Sequence, residues 1–141
     1  MKDLTDILHD GGHSLVVANR DIRTFDGRGV SDLFRLLEKD SGFLYGASVA
    51  DKVVGKAAAA LMVLAKIKEM YAEVISQPAF DLLRSNGIGV IYEKVVPHII
   101  NRAGMGLCPL EARCMTCMTP EECFVVIRAF MEEMKTNKYK G

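Results

Sequence analysis

The sequence predicts an α/β domain: a three-layer sandwich with a mixed sheet of about five strands and helices on both faces. Three observations lead there. Strand-like apolar runs at 43–50, 69–76 and 90–95 alternate with helical stretches, the pattern of parallel neighbours joined by right-handed crossovers. Ahead of them, 14–18 and 22–25 read as a hairpin around Asn19-Arg20-Asp21. Finally, 141 residues, half of them apolar, suit one domain with one core, spanning 1–141.

The elements follow in order. Leu4, Ile7 and Leu8 stand at helical spacing, and Gly11-Gly12 stops that short helix. After the hairpin, Asp26-Gly27-Arg28-Gly29 is a turn. Ser31 can cap a helix that buries Leu33, Phe34, Leu36 and Leu37 and ends near Gly42. Residues 43–50 are apolar on both faces, which predicts a central strand. Asp51 can then cap a helix over 52–67. The strand at 69–76 leads to a helix with Pro78 as its first residue, ending at about Asn86 before Gly87. The third strand covers 90–95, and 97–118 reads as a loop-rich segment holding cysteines. Thr119-Pro120-Glu121-Glu122 is a capping box that opens a last helix over 120–135, with Ile127, Phe130, Met131 and Met134 as its apolar stripe.

Composition excludes several function classes. Lys plus Arg equals Asp plus Glu at 18 each, so a nucleic-acid or anionic-membrane binder working by bulk charge is not expected. Residues 1–10 hold three Asp and no apolar core, unlike a secretory signal. The longest apolar run, 57–65, is nine residues against about 20 for a membrane span. A soluble, cytoplasmic protein is expected, with its cysteines reduced or bound to metal.

One helix start breaks a local rule. In Asp51-Lys52-Val53-Val54-Gly55-Lys56, two lysines head an almost wholly apolar helix. Cations there oppose the helix dipole by roughly 0.3–1 kcal/mol each. Gly55 suggests close backbone approach. One reading is a site for a small anionic ligand, formed by Asp51, Lys52, Gly55 and Lys56 with the neighbouring helix start at Ser76. The other is that both lysines are solvated and Asp51 or Glu73 neutralises one of them. Glu73, inside an apolar strand, is a candidate contact or the partner of a lysine. The P-loop pattern fails, because Ala57 follows Gly55-Lys56 and position 50 is Ala. The unusually apolar helix also suggests burial by a second copy, a homodimer.

The second candidate is Cys108-x5-Cys114-x2-Cys117-x5-Cys123. Four thiols within sixteen residues could hold zinc or an iron–sulfur cluster, or do redox chemistry. The alternative is packing: with Thr119 as N-cap, Met118 and Cys123 occupy the two positions of a hydrophobic staple. His9, His13 and His98 show no ligand spacing.

Several words of the sequence resemble a known family. Asp51-Lys52-Val53-Val54-Gly55-Lys56-Ala57-Ala58, Tyr71-Ala72-Glu73-Val74-Ile75-Ser76, Tyr92-Glu93-Lys94, Asn101-Arg102 and Cys108-Pro109-Leu110-Glu111 look like the DUF1893 family over about residues 14–130. The resemblance implies a cytidine deaminase-like fold without an assigned activity, and it adds Asn101 and Arg102 to the candidate ligand set. Zinc deaminases carry H-x-E at one helix start and P-C-x-x-C at the next. Here 51–58 has neither His nor Glu, and Pro78-Ala79-Phe80-Asp81-Leu82 has no Cys, so zinc deamination is not expected. Three readings stay open: a zinc-free ligand-binding domain, a metal or redox module, and a structural interaction protein.

Overall fold

The structure, a computed structural model, describes residues 1–27, 30–99 and 109–140. Its sheet has the order β2-β1-β3-β4-β5. The strands are β1 (Leu15–Asn19), β2 (Asp21–Phe25), β3 (Ser48–Val54), β4 (Glu69–Ser76) and β5 (Gly89–Val96). β1 runs antiparallel to β2 and β3, while β3, β4 and β5 are parallel. The sheet is therefore mixed and five-stranded, as the sequence predicts. Only Arg20 separates the hairpin strands, at φ +68°.

The helices are α1 (Lys2–Asp10), α2 (Ser31–Lys39), α3 (Ser41–Leu44), α4 (Lys56–Ala65), α5 (Gln77–Ser85), α6 (Pro109–Cys114) and α7 (Pro120–Lys140). They divide unequally between the faces. On one face, α1 lays Leu4 and Leu8 against Val16, Ala50 and Tyr71. The other face carries the main core, where Ala57, Ala58, Leu61 and Met62 of α4 meet Leu33 and Phe34 of α2, Leu83 of α5, and Cys123 and Ile127 of α7. The two crossovers β3-α4-β4 and β4-α5-β5 advance in one direction along the sheet, which places α4 and α5 on the same side.

Two expected boundaries move. The strand expected at 43–50 is β3 at Ser48–Val54, and Phe43 lies in α3. Gly46, at φ +72°, turns the chain between them. Asn19 Nδ2 fixes that turn by donating to the carbonyls of Phe43 and Tyr45 at 2.8 and 2.9 Å. The helix expected from 52, capped by Asp51, begins instead at Lys56 with Gly55 as its N-cap. Val53 and Val54 are β-branched and extend the strand. Asp51 and Lys52 are therefore strand residues, paired or placed within β3.

The segment expected as a loop over 97–118 contains α6, and the last helix runs past 135 to Lys140. The apolarity of α4 is accounted for inside the chain. Ala57–Met62 are all buried against the sheet and the surrounding helices. Among the described residues, no helix is long and apolar enough to cross a membrane.

Candidate functional site

The starts of α4 and α5 lie side by side, beyond the ends of β3 and β4. The start of α5 is capped locally: Ser76 Oγ accepts the N–H of Ala79 at 3.3 Å, and Pro78 stands in the first turn. The start of α4 has no side-chain cap of its own, because Gly55 is the N-cap. Its cap arrives from α6. Glu111 Oε2 accepts the backbone N–H of Lys56 at 2.8 Å, and Glu111 Oε1 accepts from Ser76 Oγ at 3.3 Å. One carboxylate thus bridges both helix starts, with its residue only 3% exposed.

Gly55 makes this possible. A Cβ there would collide with the Glu111 carboxylate and stand 3.3 Å from Ile99 Cγ1. The close approach read from Gly55 is real, but its cause is an internal side chain. Burial pushes the Glu111 carboxyl above its ordinary value. The Lys56 N–H and the Ser76 hydroxyl, then the nearby His98 and Lys56 side chains, work in the opposite direction. The expected anion at this helix start is therefore the chain's own Glu111, and it takes the place in which a small anion would sit.

The remaining candidates disperse. The half-buried Asp51 carboxyl is pushed up to about 7 by desolvation, against hydrogen bonds from the N–H groups of Val53 and Lys52. Register pairs Asp51 with Ala72 and Val53 with Val74 and skips Lys52 and Glu73. A carboxylate that takes the next two N–H groups competes locally with the ladder. Glu73 belongs to the α1 face, where its Oε1 stands 3.7 Å from His9 Nε2. Beside it, the Tyr71 hydroxyl is pushed up to about 12 by burial, by its hydrogen bond to Glu93 and by the charges of Glu93 and Glu73. Glu73 thus pairs with a histidine of α1, away from the helix starts. Asn101, Arg102 and Cys108 lie outside the described residues.

Lys56 is the candidate that stays, in a different role. Its ammonium group donates to the carbonyl of Cys117 at 2.6 Å and to that of Met115 at 3.2 Å. It is half-buried and directed at backbone carbonyls of the chain itself. It ties the start of α4 to the turn between α6 and α7.

That turn assembles the cysteines. Cys114 closes α6, Cys117 sits in the turn, and Cys123 is in the first turns of α7. All three are buried, and their Sγ atoms lie within 4.8 Å of one another. Hydrogen bonding among the three draws the Cys123 thiol down to about 7 and drives Cys114 up, while Cys117 is raised first by burial and then by Cys123.

The capping box is present: Thr119 Oγ1 accepts the N–H of Glu122 at 3.1 Å, and Glu122 Oε2 accepts that of Met118 at 2.8 Å. The staple is not. Met118 is 85% exposed, while Cys123 packs with the other thiols. An approximately 400 Å³ depression lies at the far end of α4, lined by Val63, Lys66, Asn86, Gly87 and Glu121, away from this chemistry.

Glu111 was missed as a site residue by the sequence reading. It occurs in the word Cys108-Pro109-Leu110-Glu111, but nothing in its local pattern indicates that it reaches a glycine 56 positions earlier.

Comparison with known proteins adds family and fold. A family model described as a domain of unknown function (DUF1893) matches residues 3–131. The crystal structure of a DUF1893 family protein from Thermotoga maritima superposes with a TM-score of 0.84 at 26% identity, covering 91% of this chain and 87% of that one. No curated protein matches the sequence.

Proposed function

Because the chain belongs to the DUF1893 family, whose description assigns no activity, we propose its function from the site itself: it is a metal-binding protein whose centre is the thiolate trio Cys114, Cys117 and Cys123. The observation that carries this reading is the convergence of three sulfurs within 4.8 Å. Tetrahedral zinc with Zn–S bonds of about 2.3 Å needs sulfurs about 3.8 Å apart, which a small closure of the trio reaches. Thiolates select zinc, copper(I) or iron–sulfur centres over hard cations, and the Cys-x2-Cys knuckle favours zinc. Burial of all three residues favours a closed, structural site over an exposed reactive one. Bound metal would lock the α6–α7 turn onto the starts of α4 and α5.

The fourth ligand is open. Cys108 precedes α6, and Pro109 beside it stands at the opposite end of that helix from Cys114, about 7–8 Å along the axis. A three-cysteine centre completed by water, and a four-cysteine centre, are distinguished by Cys108→Ser.

The test is elemental analysis of protein purified without oxygen, followed by zinc titration with thermal melting. Near one zinc per chain is expected in the wild type, with loss in each of Cys114→Ser, Cys117→Ser and Cys123→Ser. A wild type that retains no metal, and whose melting temperature does not rise with added zinc, removes the reading.

A further inference from the structure

We propose that Lys56 is the positioning and charge-balancing residue of the thiolate centre; this inference rests on the metal reading above and concerns how that site is held. It explains why a cation occupies the first position of α4, where the helix dipole opposes it. The lysine chain leaves the helix start and reaches the knuckle. Its ammonium group binds the carbonyls of Cys117 and Met115, both within the turn that sets the distance between Cys114 and Cys117. The turn's own hydrogen bonds, Met115 N–H to Ala112 and Cys117 N–H to Cys114, leave those two carbonyls to Lys56.

The backbone of the same residue is held by Glu111, three positions before Cys114 on α6. Glu111 and Cys114 therefore lie on one face of α6, and Lys56 grips the segment at both ends. A rigid support of this kind fixes the geometry of the ligands in a metal site.

Charge gives the second reason. A divalent zinc with three thiolates carries a net charge of −1, which is costly in a buried place unless it is paired. The surrounding acids worsen the balance: Glu111 acts on Cys114, and Glu122 on Cys117 and Cys123. Lys56 supplies positive charge at Cys117 and Cys123. One ammonium group offsets the single excess charge of a three-thiolate zinc centre.

The experiment measures zinc affinity of the full chain by competition with a chromophoric chelator at fixed pH. The variants are Lys56→Met, Lys56→Gln and Lys56→Arg, with Leu83→Ala as a control that weakens the core elsewhere. Lys56→Met is expected to lose at least about tenfold in zinc affinity, the usual scale for an outer-shell partner. Lys56→Gln keeps a polar side chain while removing the charge, so it is the folded comparison if Lys56→Met is unstable, and it should also lose affinity. Lys56→Arg should restore most of the loss, whereas Leu83→Ala should lower the melting temperature without moving zinc affinity. Unchanged affinity in Lys56→Met or Lys56→Gln overturns the proposal while leaving the metal site standing. Equal losses in Lys56→Arg and Lys56→Gln overturn the charge role. A wild type that binds no zinc overturns both this proposal and the one it rests on.

Discussion

The two neighbouring helix starts of this domain are stabilised in opposite ways. At α5, Ser76 caps its own helix three residues ahead, and Pro78 follows in the first turn. At α4, Gly55 offers no side chain, and the cap is Glu111, brought from 55 positions beyond the N–H it accepts. The first cap survives anything that keeps the local chain intact. The second exists only once α6 has docked. Glu111 joins the two by accepting from Ser76 as well, so the long-range cap also steadies the local one.

The largest test of this contrast is Glu111→Ala. It leaves the Lys56 N–H and the Ser76 hydroxyl without their acceptor in a buried place, at a cost of about 2–4 kcal/mol in urea unfolding. Amide exchange at Lys56 should quicken more than at Ala79. Equal quickening at both amides would break the distinction between the two caps.

Next comes Asp51, just before the α4 start. Its folded carboxyl stands at about 7 against an ordinary 3.8, so the folded state holds more protons than the unfolded state across that window. Its stability contribution is present below the lower value and is lost as pH rises through the upper one. Asp51→Asn should match the wild type near about pH 4 and exceed it by about 1–3 kcal/mol at about pH 8. A stability difference that does not change with pH would show that Asp51 is not the titrating group. Glu111, also raised, gives the same sign in both proteins and cancels in the comparison.

The smallest effect belongs to the local cap. Ser76→Ala should cost about 1 kcal/mol, the usual worth of an N-cap hydroxyl. A cost as large as that of Glu111→Ala would mean that the hydroxyl matters through Glu111 more than through Ala79.

Much of the fold was legible because its determinants are local. The hairpin, the α5 start with Ser76 and Pro78, and the capping box at Thr119 each announce themselves within four or five residues. The errors cluster where local rules conflict. Asp51 is a good N-cap type, but Val53 and Val54 favour the strand, and pairing of β3 with both β1 and β4 decides for the strand. Apolar residues at 43–50 read as a strand until Gly46 at φ +72° turns the chain. At the candidate site, Gly55, Lys56 and Ser76 were found, and the part each plays was not, because each part depends on Glu111 or on the α6–α7 turn.

The sequence by itself determined the α/β class, the alternation that makes β3, β4 and β5 parallel, and the oddity of a cation at the head of an apolar helix. Those depend on periodicity, propensity and charge along a few residues. Only the tertiary structure decided that the anion facing that helix start is Glu111, that Lys56 holds the carbonyls of Met115 and Cys117, and that Cys114, Cys117 and Cys123 meet. A buried carboxylate, an ammonium group and a set of thiols each need partners to offset desolvation, and here the partners lie tens of residues away. The docking of α6 and α7 on α4 supplies them.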